Sequence, residues 1–147
     1  MSQIFHFDNI SVVYGDIRVD VNLKPYEQRF QNAQFWLDTQ IMNDMIPFMP
    51  IRDGMLRSVS VSRSMALAGT GMVIAAATPY GRFQYMGKVM VDPDTGSPWA
   101  RPGVTKVVTD RPLTYSSPLA TPMWFDTAKE RFGPRWIDGV KKQIGGG

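Results

Sequence analysis

Between Pro25 and Pro47 the chain carries the pattern that leaves least freedom to the backbone. Tyr26, Phe30, Ala33, Leu37, Ile41 and Met45 recur at steps of three and four residues, the spacing of one stripe along a helix. Phe35 and Trp36 widen that stripe, and Gln28, Gln31, Asn32, Asp38 and Asn43 take the opposite face. Pro25 suits the first turn, where its missing N–H is no loss. Glu27 suits the positive end of the helix dipole. Pro47 and Pro50 stop the pattern. A helix over residues 25–46 follows, about six turns at 3.6 residues each. Its apolar stripe must be covered by the rest of the chain.

The stop itself is dense in signals. Residues 47–58 read Pro-Phe-Met-Pro-Ile-Arg-Asp-Gly-Met-Leu-Arg-Ser. Pro50 ends the helix, Asp53-Gly54 turns the chain, and Met55 with Leu56 is expected to anchor it on the core. Arg52 and Arg57 are expected to point outward.

On either side of this junction the pattern changes to a period of two. Ile17, Val19, Val21 and Leu23 alternate with Arg18, Asp20 and Asn22, a strand with one apolar face. Residues 1–16 alternate only weakly and end in a Tyr14-Gly15-Asp16 turn. They read as an arm, either an edge strand or a segment lying on a neighbouring subunit, ahead of a single domain over residues 17–147. Beyond the junction, Val59, Val61, Arg63 and Met65 alternate with serines. This predicts a strand, a turn at Ala68-Gly69-Thr70-Gly71, and a partner strand over residues 72–78. Residues 79–87 read as a short helical turn closed by Gly87.

Residues 88–120 are mostly irregular. Val89-Met90-Val91 and Lys106-Val107-Val108-Thr109 are possible strands, and an extended hairpin with a long tip is the alternative to a loop. Loops of this length inside a domain are usually functional. A last helix starts near Thr121 as N-cap with Pro122 at its first position. Trp124, Ala128, Phe132, Trp136, Val140 and Ile144 follow at steps of four, and Gly133-Pro134 is expected to kink or break it. The fold class is therefore α+β: an antiparallel sheet packed against two long helices, N-terminal and C-terminal, with a long hairpin or loop.

The totals narrow function mainly by exclusion. At 147 residues the chain has the size of one domain. It has no cysteine, which excludes disulfides, thiolate metal sites and a Cys nucleophile. No secretory signal opens it, and no run approaches the ~20 apolar residues of a membrane helix. His6 is the single histidine, so no His-rich metal site and no nucleophile–base set can be built. Asp92 and Asp94 beside Thr95-Gly96 lack the further oxygen ligands of a calcium loop and read as a turn. No catalytic group and no cofactor is expected. The net charge of +3 is mild and runs from acidic to basic: residues 1–50 carry three Lys/Arg against six Asp/Glu, and residues 111–147 carry six against three. This reads as ordinary surface scatter or, alternatively, as one polar face meeting an oppositely charged neighbour. Ten Met, eight Phe, five Tyr and four Trp are side chains that suit adaptable contacts with other proteins.

The junction is also where a family resemblance enters. Pro50-Ile51-Arg52-Asp53-Gly54-Met55-Leu56-Arg57-Ser58 resembles a P-x-x-T-G-x-L-R-x-S signature of small neck proteins of long-tailed bacteriophages, with Asp53 in place of Thr. Residues 80–87, Tyr-Gly-Arg-Phe-Gln-Tyr-Met-Gly, are similar to the family's Y-A-x-x-x-E-x-G element, with Gly81 in place of Ala. Residues 90–99 and 109–115, and Trp124-Phe125-Asp126-Thr127-Ala128-Lys129 with Trp136 after it, resemble the minor capsid branch. The likeness covers residues 17–144 and lies in the order of short motifs.

That resemblance implies a structural virion protein of the head–tail connector, assembled in the host cytoplasm and without catalysis. It implies a ring, of six copies, around the channel that genomic DNA crosses. An adjacent head-completion or connector protein would lie on one side, and a tail-terminator or tail-tube protein on the other. The tier stays open between neck ring, head-completion stopper and tail terminator. A subunit interface is then expected at Arg52, Arg57, Tyr85, Met86, Met90, Trp99, Arg111 and Tyr115, and the acidic positions Asp38 and Asp44 are expected beside the channel, where positive charge would hold phosphates. The competing reading is a small nucleic-acid-binding domain built on Arg52, Arg57, Arg63 and Arg82 with Tyr80, Phe83 and Tyr85 interleaved.

Overall fold

The computed structural model describes residues 4–51, 54–78 and 81–145. Arg52, Asp53, Pro79 and Tyr80 lie outside them. The order is β1 (Ile10–Tyr14), β2 (Ile17–Val21), α1 (Lys24–Met45), α2 (Met55–Ala66), α3 (Gly81–Met86), β3 (Lys88–Val91), β4 (Val107–Pro112) and α4 (Trp124–Gly145). A single 3-10 turn, Ile46–Phe48, extends α1. The strands form two separate antiparallel pairs, β1 with β2 and β3 with β4. The class is α+β, with the first and last long helices as its spine.

The expected stripe on α1 is buried in part: Ala33 and Met45 are buried and Leu37 and Ile41 partly so, whereas Tyr26 and Phe35 are exposed, and Gln31 and Asp38, expected on the opposite face, are buried. Met42 and Met45 are buried with Phe48 and Met49 of the following turn, against Trp124, Ala128 and Trp136 of α4, and Leu56 of α2 joins the same core. The two helices approach closely. A Cβ added at Gly139 of α4 would fall inside the ring of Trp36 on α1. Asp44 of α1 accepts the Trp136 indole N–H at 2.6 Å, and Gln40 donates to the same carboxylate at 3.1 Å. Burying Trp136 this way leaves its one polar atom paired.

α1 has a second buried row, and it is polar. Glu27, Gln31 and Asp38 are all buried, at steps of four and seven, which return to one side of a helix. Glu27 accepts the backbone N–H of Phe7 at 2.8 Å, and Gln31 accepts that of Ile4 at 3.0 Å while donating to Gly69 O at 2.9 Å. Asp38 accepts the N–H groups of Gly69 and Gly71, both at 2.9 Å, and the Gln34 amide. Each satisfies backbone that has no ladder of its own. Phe5 and Phe7 close around Phe30, with ring centres 5.5 and 5.4 Å away. Residues 4–8 are thereby tied to the α1 of their own chain. Asp38, expected beside a channel, has its carboxylate committed to this internal network.

Three local expectations are corrected. Residues 55–66 form a helix, not a strand. Leu56, Ser60 and Ser64 are its buried positions, a step of four that the alternation of valine and serine conceals. The small serines let residues 72–78 run close alongside, where Ser60 Oγ accepts the Ala77 N–H at 3.2 Å and Ser64 Oγ accepts the Ile74 N–H at 2.9 Å. The expected partner strand over residues 72–78 does not form either: the segment is irregular and is fastened by side chains instead of a ladder. Secondly, α4 continues unbroken through Pro134, because Ala128 and Trp136 on either side are both buried in the core, and packing outweighs the one missing hydrogen bond. Thirdly, α4 begins at Trp124 and not at Pro122. Met123 precedes it with a φ of 49°, its carbonyl accepting Thr127 N–H at 3.1 Å and its own N–H donated to Tyr85 O at 2.7 Å.

Gly139→Ala should destabilise the chain by about 1–3 kcal/mol, the usual cost of overpacking. Adding Trp36→Ala should recover part of that loss, because the two residues share one contact. Thermal melts of both single variants and the double variant read the coupling. Additive losses would place the strain elsewhere.

Candidate interaction surface

α2, α3 and the β3–β4 hairpin enclose an open groove of ≈ 740 Å³. Met55, Leu56 and Val59 form one wall. Phe83, Val89, Met90 and Leu113 form the other, and Trp99 stands at the lip. Arg63 and Lys106 supply its charge. Met55 and Trp99 are exposed, at 57% and 86%. An apolar recess with an exposed indole at its edge is the usual anatomy of a protein contact.

The far wall is set by the hairpin register. Lys88 pairs with Pro112, Met90 with Val108 and Val91 with Val107, with an irregularity between Lys88 and Met90. Such a bulge re-aims the side chains next to it. Gly87, with φ +68°, starts the hairpin, and a Cβ there would meet Pro122 Cβ at 2.6 Å. Thr109 Oγ1 donates to Val89 O at 2.6 Å, and Leu113 N–H to Gly87 O at 2.9 Å. The extended-hairpin alternative is the observed one.

Trp99 sits on a loop held by one carboxylate. Asp92 is fully buried. One of its oxygens accepts the N–H groups of Asp94 and Thr95, at 2.9 and 3.3 Å. The other accepts the Arg101 backbone N–H at 3.2 Å and its Nε at 2.9 Å. Arg101 also pairs with Asp94. The Arg101 guanidinium, followed by the backbone N–H groups, holds the Asp92 carboxyl far below the usual carboxylate range. Its oxygens are thus taken by donors in a turn, and among the described residues no group of three or more His, Asp or Glu could hold a metal ion. Both ends of the loop are gripped, so Trp99 is exposed on a fixed mount.

The eight residues expected at an interface are distributed unevenly. Met90 and Trp99 line the groove. Met86 is exposed at the end of α3, and Arg111 is exposed on β4. Tyr85 packs edge-on against Trp124, with ring centres 4.7 Å apart. Burial, then the Asp126 charge, raises its hydroxyl pKa. Tyr115 donates to Gln84 O at 2.5 Å and stands half-buried, which likewise raises its pKa. Arg57 does not point outward. Its guanidinium donates to Ile46 O at 3.0 Å and Met49 O at 3.3 Å, carbonyls at the two ends of the 3-10 turn that follows α1. Arg52 lies outside the described residues. Arg63 donates to Ala77 O at 3.4 Å, so two of the four arginines proposed as a nucleic-acid cluster are engaged with backbone.

Reading residues 58–67 as a strand hides the helix that puts Met55, Leu56 and Val59 on one wall. The signal that finds it is the Leu56, Ser60, Ser64 step of four, with Leu56 at one end. Met55 was expected on the core with Leu56; only Leu56 is buried.

Asp92→Asn should open residues 93–105 to proteolysis, with little change in the melting of the rest. A cleavage pattern equal to that of the parent chain would show that Arg101 alone holds the loop. Because the folded pKa of Asp92 is depressed, its contribution is complete above the ordinary carboxylate value of ~3.9 and is lost only as pH falls through the lowered value. Loop protection should therefore persist at pH 5 and fail only in strong acid.

A family model described as "Minor capsid protein" matches residues 15–144 of this chain. No curated protein and no solved structure matches it.

Proposed function

The chain belongs to the minor capsid protein family, and on that premise we propose that it is a ring-forming subunit of a phage neck, joining the DNA-filled head to the tail. Membership makes it a structural, virion-associated phage protein with a non-enzymatic role. The finer reading places it at the head–tail junction in a ring of six copies around the DNA channel. A head-completion or connector protein lies on one side and a tail-terminator or tail-tube protein on the other. A head-completion stopper or a tail-terminator ring is the same reading at a neighbouring tier. No helix among the described residues is long and apolar enough to cross a membrane.

The observation that carries the contact is Trp99. An indole 86% exposed on a loop pinned by Asp92 and Arg101 is already ordered before it meets a partner. Little conformational entropy is then lost on association. Buried aromatic anchors are where interface energy concentrates. Among the described residues, the buried carboxylates Glu27, Asp38 and Asp92 all serve backbone donors.

Images of the assembled particle should show a six-membered ring at the head–tail junction with residues 88–115 covered by another chain. That whole segment lying in solvent would overturn the contact, and density elsewhere in the virion would overturn the neck assignment. Trp99→Ala should leave the melting of the purified chain within about 0.5 kcal/mol, as for other exposed side chains, yet heads without attached tails should accumulate.

A further inference from the structure

Among the described residues two apolar surfaces are exposed, and they differ in charge. One lies on a ribbon. In the β1–β2 ribbon Ile10 pairs with Val21, Val12 with Val19 and Tyr14 with Ile17. Side chains alternate across a strand, so these six residues share one face. All six are exposed, from 39% at Val21 to 84% at Tyr14. The other face is largely polar: Ser11 donates to Asp20 at 2.6 Å, and Arg18 pairs with the same carboxylate at 3.1 Å. A lone two-stranded ribbon is marginal in water, and one with a contiguous apolar face marks a site of association. The other surface is concave: the groove between α2 and the β3–β4 hairpin, with Met90 on its wall and Trp99 at its lip.

Charge identifies the occupant. The ribbon and its approach carry Asp8, Asp16 and Asp20 against Arg18. The groove lining holds Arg63 and Lys106 and, among the described residues, no carboxylate. Both surfaces are apolar and the charges beside them are opposite in sign, and every copy of the chain carries both. A contact between two different surfaces of identical chains is heterologous, the kind that closes into a ring when its rotation allows.

We propose that the apolar face of the β1–β2 ribbon docks in the α2/β3–β4 groove of a second copy of this chain, with the acidic ribbon tip at Asp16 facing Arg63 and Lys106. This deepens the ring reading, on which it rests for its setting, by naming the surfaces that meet. Val12 and Tyr14 then cover Met90 and Trp99, and each copy offers its own groove to the next ribbon.

The chain has no cysteine, so introduced thiols report single contacts. Copies carrying Val12→Cys and copies carrying Met90→Cys are co-assembled into particles, oxidised and run without reductant. The mixture should give a dimer, a V12C/M90C double variant should give a ladder of multiples, and neither single variant alone should link. Tyr14→Cys with Trp99→Cys is a second pair, in case the first thiols are poorly spaced. Asp16→Lys added to either pair should reduce the linked fraction severalfold. If both pairs stay monomeric while an amine-reactive reagent joins copies in the same particles, the docking is wrong and the ring stands on other surfaces. A link from Val12→Cys to a different protein also overturns the docking. If the amine-reactive reagent finds no neighbouring copy, the ring and the docking fall together.

Discussion

A fully buried indole must find a partner for its N–H, and where Trp124 finds one decides how this molecule is put together. Its Nε1 donates to Ala75 O at 3.0 Å, its ring meets the edge of Tyr85, and its body is packed among Met42, Met45 and Phe48. One side chain thus joins the start of α4 to the irregular segment 72–78, to α3 and to the C-terminal end of α1. Ser60 and Ser64 fasten that same segment to α2, so the position of α2 follows from the indole at one remove. The groove lies between α2 and the hairpin that α3 leads into, and its width is therefore a consequence of core packing.

Polar side chains play an unusual share of the structural part. Few backbone groups in residues 67–78 and 92–101 belong to a ladder, yet an unpaired polar group near the core is costly. Asp38, Ser60, Ser64 and Asp92 each accept backbone N–H groups there, and Gln31 donates to Gly69 O. They stand in for the strands that the chain does not form. The same residue types that could have suggested chemistry in the sequence, buried acids above all, turn out to be fasteners. Arg57 is the cationic counterpart, donating to carbonyls of the 3-10 turn that follows α1.

The abundant methionines and aromatics divide between two uses. Met42, Met45 and Met49 fill the core with Trp124 and Trp136. Met55 and Trp99 are exposed at the groove, and Tyr14 on the ribbon. A rigid interior that leaves apolar surface uncovered in two places suits a component of a larger assembly. It agrees with a family of structural capsid proteins.

Much of this was legible in the linear chain. The period and the flanking prolines of residues 25–46 determined α1 almost to the residue, because a long uninterrupted stripe has one economical conformation. The α+β class, the β2 strand, the short helix ended by Gly87 and the order of motifs that marks the family were equally local. What tertiary structure alone decided was conformation wherever two periods fit the same residues, and orientation wherever a side chain had more than one partner within reach. Residues 58–65 alternate like a strand, yet Leu56, Ser60 and Ser64 also lie four apart; burial against residues 72–78 chose the helix. Pro134 argued locally for a kink or a break, and with Ala128 and Trp136 packed in the core the helix is not broken there. Arg57 read as an outward charge until the 3-10 turn after α1 supplied carbonyls for it. The groove that joins Met55, Val59, Met90 and Trp99 exists only in three dimensions, because its walls come from segments some thirty residues apart. Local pattern fixes which faces are apolar; only long-range packing decides which of them remain uncovered.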